Sequence, residues 1–406
     1  MLSWANQFNI FCFLDSCGYE LHPVRYECLL GAGSVKSINS GTLQDLDAFL
    51  DQDNWLFGYL SYSLGHSLHQ QASPKEDPVG FPLFHFFEPA FLLFICNGEL
   101  TVKADDPDAV YKAINDTKIH EGSRPRIHAK GRLSRSAYLE KIRQLQQHIL
   151  RGDCYEVNFC QEFYSQGVEA DPLQLYLDLT SISPNPFSVF YRLNDQHLVC
   201  ASPERFLLKQ GASIWSQPIK GTITRDQQDS ENDLRLKQLL SESQKDQAEN
   251  VMIVDLVRND LSRICMDGTV KVDELFGIYA YPQVYQMIST ITGKLKAHVR
   301  FSEIIRATFP MGSMTGAPKH RVMELIEQYE GSTRGIFSGT VGYIAPGGDF
   351  DFNVVIRSLM YNASSQYLSY QVGSGITFYS EAEKEWEECL LKAEAIKKVL
   401  TGGSAL

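Results

Sequence analysis

Apolar positions along the chain change period several times, and each change marks an element. Over 136–151, Tyr138, Ile142, Leu145 and Ile149 recur at three- and four-residue intervals, which puts them on one face of a helix, and Gly152 suits its C-terminal cap. Two hairpins follow in series: β-rich runs 188–193 and 197–202 flank Asn194-Asp195, and 205–209 and 212–217 flank Gln210-Gly211. Residues 231–264 are helical by pattern in two segments, and 269–296 hold two long β-rich runs broken near Pro282. Helices are predicted at 301–309 and 318–330, strands around 335–345, 351–361 and 366–373, and a terminal helix over about 381–400. Upstream, the short apolar runs 55–60, 81–87 and 90–96 lie between turn residues and read as strands. Runs of strands alternating with pairs of helices predict an α+β fold of large, mostly antiparallel sheets with helices outside, without the strand-helix-strand rhythm of a doubly wound sheet. Polar stretches at 70–77 and 105–126 are the candidate linkers, the second the better boundary.

Composition narrows the function classes. With 37 Lys+Arg against 49 Asp+Glu the net charge is −12, and no basic run compensates, so nucleic acid is excluded as a partner. At 44% apolar residues the 406-residue chain can bury a full core, and length alone suggests two to three domains. The most apolar stretch, 81–96, is broken by Pro82, His85, Glu88 and Pro89, which suits core strands and not a membrane span. Nine cysteines, an odd number with no CxxC pair, read as reduced thiols. The first residues lack the basic and apolar regions of a signal peptide, so a cytoplasmic location is expected.

Candidate chemistry lies mostly in the second half. Lys220 sits between Ile219 and Gly221 at a strand end, where it is either a solvated lysine or an amine aimed into a cleft. Asp246 with Glu249, and Glu385 with Glu388, have the three-residue spacing that shares a helix face; each pair is either a solvated acidic patch or half of a site for a hard cation. Glycine-rich segments 312–319 and 373–377 read as turns whose backbone N–H groups could bind an anion, and neither fits a P-loop or dinucleotide pattern. Arg357, in the apolar run 354–359, needs an anion, either a ligand or an acidic side chain. No HExxH or GxSxG occurs, and His66 and His69 lack a third ligand nearby, which removes support for zinc and serine-hydrolase chemistry.

Taken in order, these segments resemble the chorismate-utilising enzymes, and among them the large subunits of aminodeoxychorismate synthases. The resemblance rests on GDCYEVN at 152–158, SPERF at 202–206, PIKGT at 218–222, DQAENVMIVDLVRNDL at 246–261, SMTGAPK at 313–319, VVIRSL at 354–359, GSGIT at 373–377, and the spacing of Glu385, Glu388 and Lys392. It is dense over 130–400, the catalytic part, and weaker over 1–125, so the resemblance implies a single chorismate-binding domain over 1–406. The implied fold is an anthranilate-synthase-like layered sandwich of two sheets with the active site in the cleft between.

The resemblance further implies a Mg²⁺-dependent amination of chorismate, with ammonia from a separate glutamine amidotransferase, for para-aminobenzoate and folate synthesis. Lys220 would be the covalent nucleophile and Glu204 the general acid. Glu249 and Glu388 would be the main Mg²⁺ ligands, with Glu385 and Asp246 beside them. Arg357, Lys392 and the backbone of Gly373, Ser374 and Gly375 would hold carboxylates, and Thr222, Ser313, Thr340 and Gln286 would line the pocket. Relatives that form anthranilate or isochorismate usually carry alanine at the position of Lys220, which counts against the first alternative, anthranilate synthase component I; the second, a catalytically silent chorismate-binding subunit, is suggested by Gln286. Two departures stand out: Gln286 replaces a histidine common in relatives, and Phe13-Leu14-Asp15-Ser16 stands where feedback-regulated relatives have Leu-Leu-Glu-Ser.

Overall fold

Strand Phe187–Leu193 reads as a continuous apolar run, and a computed structural model shows why: both of its faces are covered. Val189, Tyr191 and Leu193 enter a core between two sheets, while Phe190 enters a second core between one sheet and its helices. The structure describes residues 1–19, 26–51, 53–72, 75–281 and 283–402; Pro282 and residues 73–74 of the 70–77 stretch lie outside them.

Among the described residues the strands form sheets of eleven and ten. The larger runs in the order Gly316–Ala317, Glu156–Gln166, Tyr367–Ile376, Ser358–Asn362, Gln196–Ser202, Phe187–Leu193, Ile10–Asp15, Cys28–Ala32, Phe91–Cys96, Glu99–Lys103. The smaller runs Ile219–Thr224, Val284–Lys294, Ser213–Gln217, Arg205–Gln210, Phe350–Asn353, Thr340–Ile344, Leu56–Leu60, Phe84–Glu88, Lys36–Ile38. Short Lys130–Gly131 adds to Glu156–Gln166, and Lys271–Ala280 to Val284–Lys294. The pairings are antiparallel, as in Ile10–Asp15 with Phe187–Leu193 and Leu56–Leu60 with Thr340–Ile344. Those two pairings weave N-terminal strands into both sheets.

Local signals placed most elements. Helix Arg135–Leu150 is capped by Ser134, whose hydroxyl accepts from the Ala137 N–H at 3.2 Å, and Gly152 follows with φ +83°. Helices Ser230–Ser241, Gln244–Ser262, Phe301–Thr308 and Lys319–Tyr329 match the pattern. The candidate linker 105–126 holds a helix, Pro107–Asp116, capped by Asp106. Four further expectations need correction. The second hairpin turns at Gly211-Ala212, because Gln210 still pairs with Ser213. The region 335–345 forms a strand only from Thr340. The terminal helix is two, Ala382–Lys392 and Glu394–Thr401, joined at Ala393.

The fourth correction decides where the site lies. The run 351–361 is two strands in different sheets, Phe350–Asn353 and Ser358–Asn362, so the chain crosses between sheets over 354–357. A second crossing lies beside it, where Gln196–Ser202 of the larger sheet leads through Pro203 and Glu204 into Arg205–Gln210 of the smaller. The two are tied by Val354 N–H to Glu204 C=O at 2.9 Å and Ala201 N–H to Arg357 C=O at 3.1 Å. Among the described residues no helix is long and apolar enough to cross a membrane, and all nine cysteines are free.

Candidate active site

At the crossings the sheets part around a cavity of about 770 Å³. Glu204, Lys220, Thr222, Asp246, Glu249, Gln286, Ser313, Arg357, Gly373, Gly375, Glu388 and Lys392 line it.

Lys220 lies in the edge strand Ile219–Thr224, where the register against Val284–Lys294 slips between Ile219 and Thr222. Such a bulge re-aims a side chain. Gly221 makes it feasible, with φ +91° and a hypothetical Cβ only 2.9 Å from that of Asp246. The Lys220 ammonium is buried and donates to Glu156 Oε1 at 2.5 Å, a contact that joins the smaller sheet to the first residue of Glu156–Gln166 in the larger. Burial by itself lowers an amine, but Glu156, Glu249 and Glu204 outweigh it and hold Lys220 above the ordinary lysine range.

Glu204 sits at the turn of its crossing and accepts from Ser313 Oγ at 2.6 Å. Burial pushes its carboxyl up to about 7, against Ser313 and Lys220. Ser313 belongs to the short helical turn Gly312–Met314, which is buried, so the segment 312–319 is not the exposed anion-binding turn expected. Arg334 holds that turn in place, donating to Met314 C=O at 2.6 Å and to Asn158 C=O at 2.7 Å while paired with Glu330 at 2.6 Å.

Arg357 is not inside a strand. It stands in the crossing with φ +53°, a left-handed conformation that residues other than glycine seldom adopt and that clusters at functional sites. Its guanidinium donates to Lys392 C=O at 2.8 Å, and burial brings it down to about 10 against the pull of Glu388. Lys392 pairs with Glu388 at 2.6 Å and donates to Gly373 C=O at 3.0 Å.

Residues 373–375 form no turn, but lie within Tyr367–Ile376. Pairing with Ser358–Asn362 stops at Tyr370, whereas pairing with Glu156–Gln166 continues to Ile376, so the far edge with Gly373 and Gly375 opens to the cleft. Strand alternation sends Ser374 the other way, 1% exposed beside Tyr138 of the helical layer. Thr340 also leaves the predicted site: it is fully buried, outside the cavity lining, and its hydroxyl donates to Asn353 C=O. Gln286 lines the cleft with its buried Oε1 lacking a hydrogen-bond partner.

The four acids occupy helices Gln244–Ser262 and Ala382–Lys392, which meet through Lys245, 3.9 Å from Glu249 and 3.4 Å from Glu385. Burial raises Glu249 to about 7 against Lys220 and Lys245. The Glu388 side chain is 41% exposed, and Lys392 and Lys245 bring it below its ordinary value against partial desolvation. Asp246 accepts from its N-cap Ser243 Oγ at 2.5 Å. Glu385, 1% exposed, lies behind the cavity lining. Among the described residues no three acids, histidines or cysteines converge on one point, because lysines stand between them. Glu249 Oε1 and Glu385 Oε2 are nevertheless buried without hydrogen-bond partners, and an all-oxygen donor set of this kind fits a hard divalent cation.

Sequence reasoning did not single out Glu156, Lys245 or Arg334 for this site. Glu156 carried a signal, since an acid inside the apolar run 154–160 needs a partner for the same reason as Arg357.

The fold and this cleft define a class. The family model described as chorismate binding enzyme matches residues 27–398, and the chain belongs to that family. Aminodeoxychorismate synthase component 1 of Escherichia coli strain K12 is 40% identical over 268 residues, 66% of this chain and 58% of that protein. The chain thus spans less than two thirds of the length of such relatives. An anthranilate synthase component I-like protein of Synechocystis is 33% identical over 356 residues, 86% of this chain and 73% of that one. The crystal structure of anthranilate synthase component I from Streptococcus pneumoniae superposes with a TM-score of 0.80 at 23% identity, covering 93% of each chain. That likeness shows the layered two-sheet α+β fold.

Proposed function

We propose that this chain is the aminating subunit of an aminodeoxychorismate synthase, turning chorismate and ammonia into 4-amino-4-deoxychorismate for para-aminobenzoate and folate synthesis in the cytoplasm. The observation that carries this reading is Lys220, an amine that a bulged strand aims into the cleft near the carboxyl of Glu204. Similarity to curated aminodeoxychorismate synthases across two thirds of the chain supports it.

The chemistry follows from the groups present. Replacing the C4 hydroxyl by an amine at the same carbon is most simply a double displacement. The Lys220 amine bonds to C2, the ring double bonds shift, and the C4–O bond breaks as Glu204 protonates the departing oxygen, which leaves as water. Ammonia then bonds to C4, the double bonds shift back, and the C2–N bond returns its electron pair to Lys220. A carboxyl raised to about 7 still holds its proton near neutral pH, as this role requires. Arg357, Lys392, Gly373 and Gly375 line the cleft and would take the substrate's carboxylates. Gln286 Oε1 is a free acceptor for the substrate hydroxyl or incoming ammonia. Glu249 and Glu388, with Glu385 and Asp246 beside them, would hold Mg²⁺, which supplies fixed positive charge for the ring carboxylate. A separate glutamine amidotransferase would supply the ammonia.

The test is incubation of the purified chain with chorismate, Mg²⁺ and ammonium, with the product identified by chromatography and mass. Aminodeoxychorismate is expected, and Lys220→Ala should not make it. Anthranilate as the product would overturn the reading, and chorismate bound but unchanged would make the chain a binding subunit.

A further inference from the structure

An ammonium has no lone pair, so Lys220 attacks only after surrendering a proton. The group in contact with it is Glu156, whose carboxylate is fully buried, accepts from Lys220 Nζ at 2.5 Å through Oε1, and leaves Oε2 without a hydrogen-bond partner. The pair is held from both sides. Glu156 is fixed by the pairing of its strand with Gly316–Ala317, and Gly375 faces the pair with a hypothetical Cβ 2.4 Å from Glu156 Oε1 and 3.0 Å from Lys220 Nζ, so a side chain there would displace it. A buried ion pair is a poor source of stability, and an acid kept in a dry place with an oxygen to spare calls for another explanation. Glu204 cannot serve, because it must arrive protonated to release the hydroxyl.

We propose that Glu156 is the proton acceptor for Lys220, taking a proton from the ammonium as the amine attacks and returning it when the amine is released. This rests on the reading of Lys220 as the nucleophile. In the first half the ammonium and carboxylate become amine and carboxylic acid. The amine bonds to C2, the C4–O bond breaks, and the oxygen leaves as water with the proton of Glu204. The site then holds a cationic secondary amine bonded to C2, a protonated Glu156 and an ionised Glu204. In the second half ammonia bonds to C4 and the C2–N bond breaks. Glu156 returns its proton to Lys220, and Glu204 recovers one from the new C4 ammonium, which restores the resting charges. Glu204, Glu249 and Glu388 also act on Lys220, and none of them is changed in the test below.

The test separates this proposal from the reading beneath it by following the first half alone. Full-length wild type, Glu156→Gln, Glu156→Asp and Glu156→Ala are mixed with chorismate and Mg²⁺ without ammonia, and the adduct on the Lys220 peptide is quantified by mass spectrometry; ammonium is then added and the product identified. Glu156→Gln should form the adduct more than about 100-fold more slowly at neutral pH, with a rate that climbs with pH as solvent takes the proton, while chorismate affinity stays within about threefold. Glu156→Asp should retain part of the rate, and formate should restore part of it to Glu156→Ala but none to Lys220→Ala. A Glu156→Gln rate equal to or above wild type would make Glu156 a clamp that keeps the amine charged, and would overturn the proposal. Adduct without aminodeoxychorismate would sink the functional reading and leave the proposal standing. No adduct in wild type would overturn both.

Discussion

Glu204→Gln removes one ionisation from the cleft at nearly constant shape. Glu204 is 4% exposed, and burial moves its carboxyl from an ordinary 4.5 to about 7 despite Ser313 and Lys220. Each pH unit of displacement corresponds to about 1.4 kcal/mol, so ionising this group in the fold costs roughly 3 kcal/mol more than in the unfolded chain. The folded state binds the proton more tightly, so between 4.5 and about 7 unfolding releases a proton and stability falls as pH rises through that window. Glutamine has no such proton. Denaturant unfolding of both proteins from about pH 5 to about pH 8 should therefore show wild type losing roughly 3 kcal/mol relative to the variant. Glu249, which burial also raises to about 7, contributes to both proteins and cancels in the difference. Parallel stability curves would refute the claim that Glu204 is held neutral by burial. The same logic makes the wild-type rate fall as pH rises through about 7, where the general acid is lost.

Three further outcomes are expected. Gly375→Ala would put a methyl group 2.4 Å from Glu156 Oε1, and should lower turnover more than about 100-fold while thermal stability changes little, as rate and melting measurements would show. Glu330→Gln removes the carboxylate partner of the fully buried Arg334, at a cost of about 3–5 kcal/mol in denaturant unfolding; an effect below about 1 kcal/mol would mean that Arg334 does not depend on it. Lys245→Met withdraws the cation standing between Glu249 and Glu385, and calorimetric titration should find Mg²⁺ bound at least about tenfold more tightly. Unchanged or weaker affinity would place the ion elsewhere.

Local periodicity and short-range chemistry are the part of this fold that can be read without the tertiary structure. Helix Arg135–Leu150 with its Ser134 cap, the hairpin at Asn194 and the paired helices after residue 230 follow from spacings within a few positions, whereas most cleft residues are legible only through the resemblance of the ordered motifs to a family. Period-two burial says that a strand has two covered faces, but not which sheet it joins. The run 351–361 therefore looked like one strand, although its two halves belong to different sheets and Arg357 stands between them. Thr340 is not a pocket residue for a related reason, since the face a side chain presents depends on register against neighbours distant in sequence, and Ser374, whose backbone was expected at the site, lies outside the cavity lining. Tertiary structure alone decided the charges. Burial by itself lowers the Lys220 ammonium, and Glu156, 64 residues away, outweighs it together with Glu249 and Glu204, which sets the proton-transfer problem for the proposed mechanism. An amino acid's type and spacing are local facts, whereas its protonation state depends on every charge the fold brings near it.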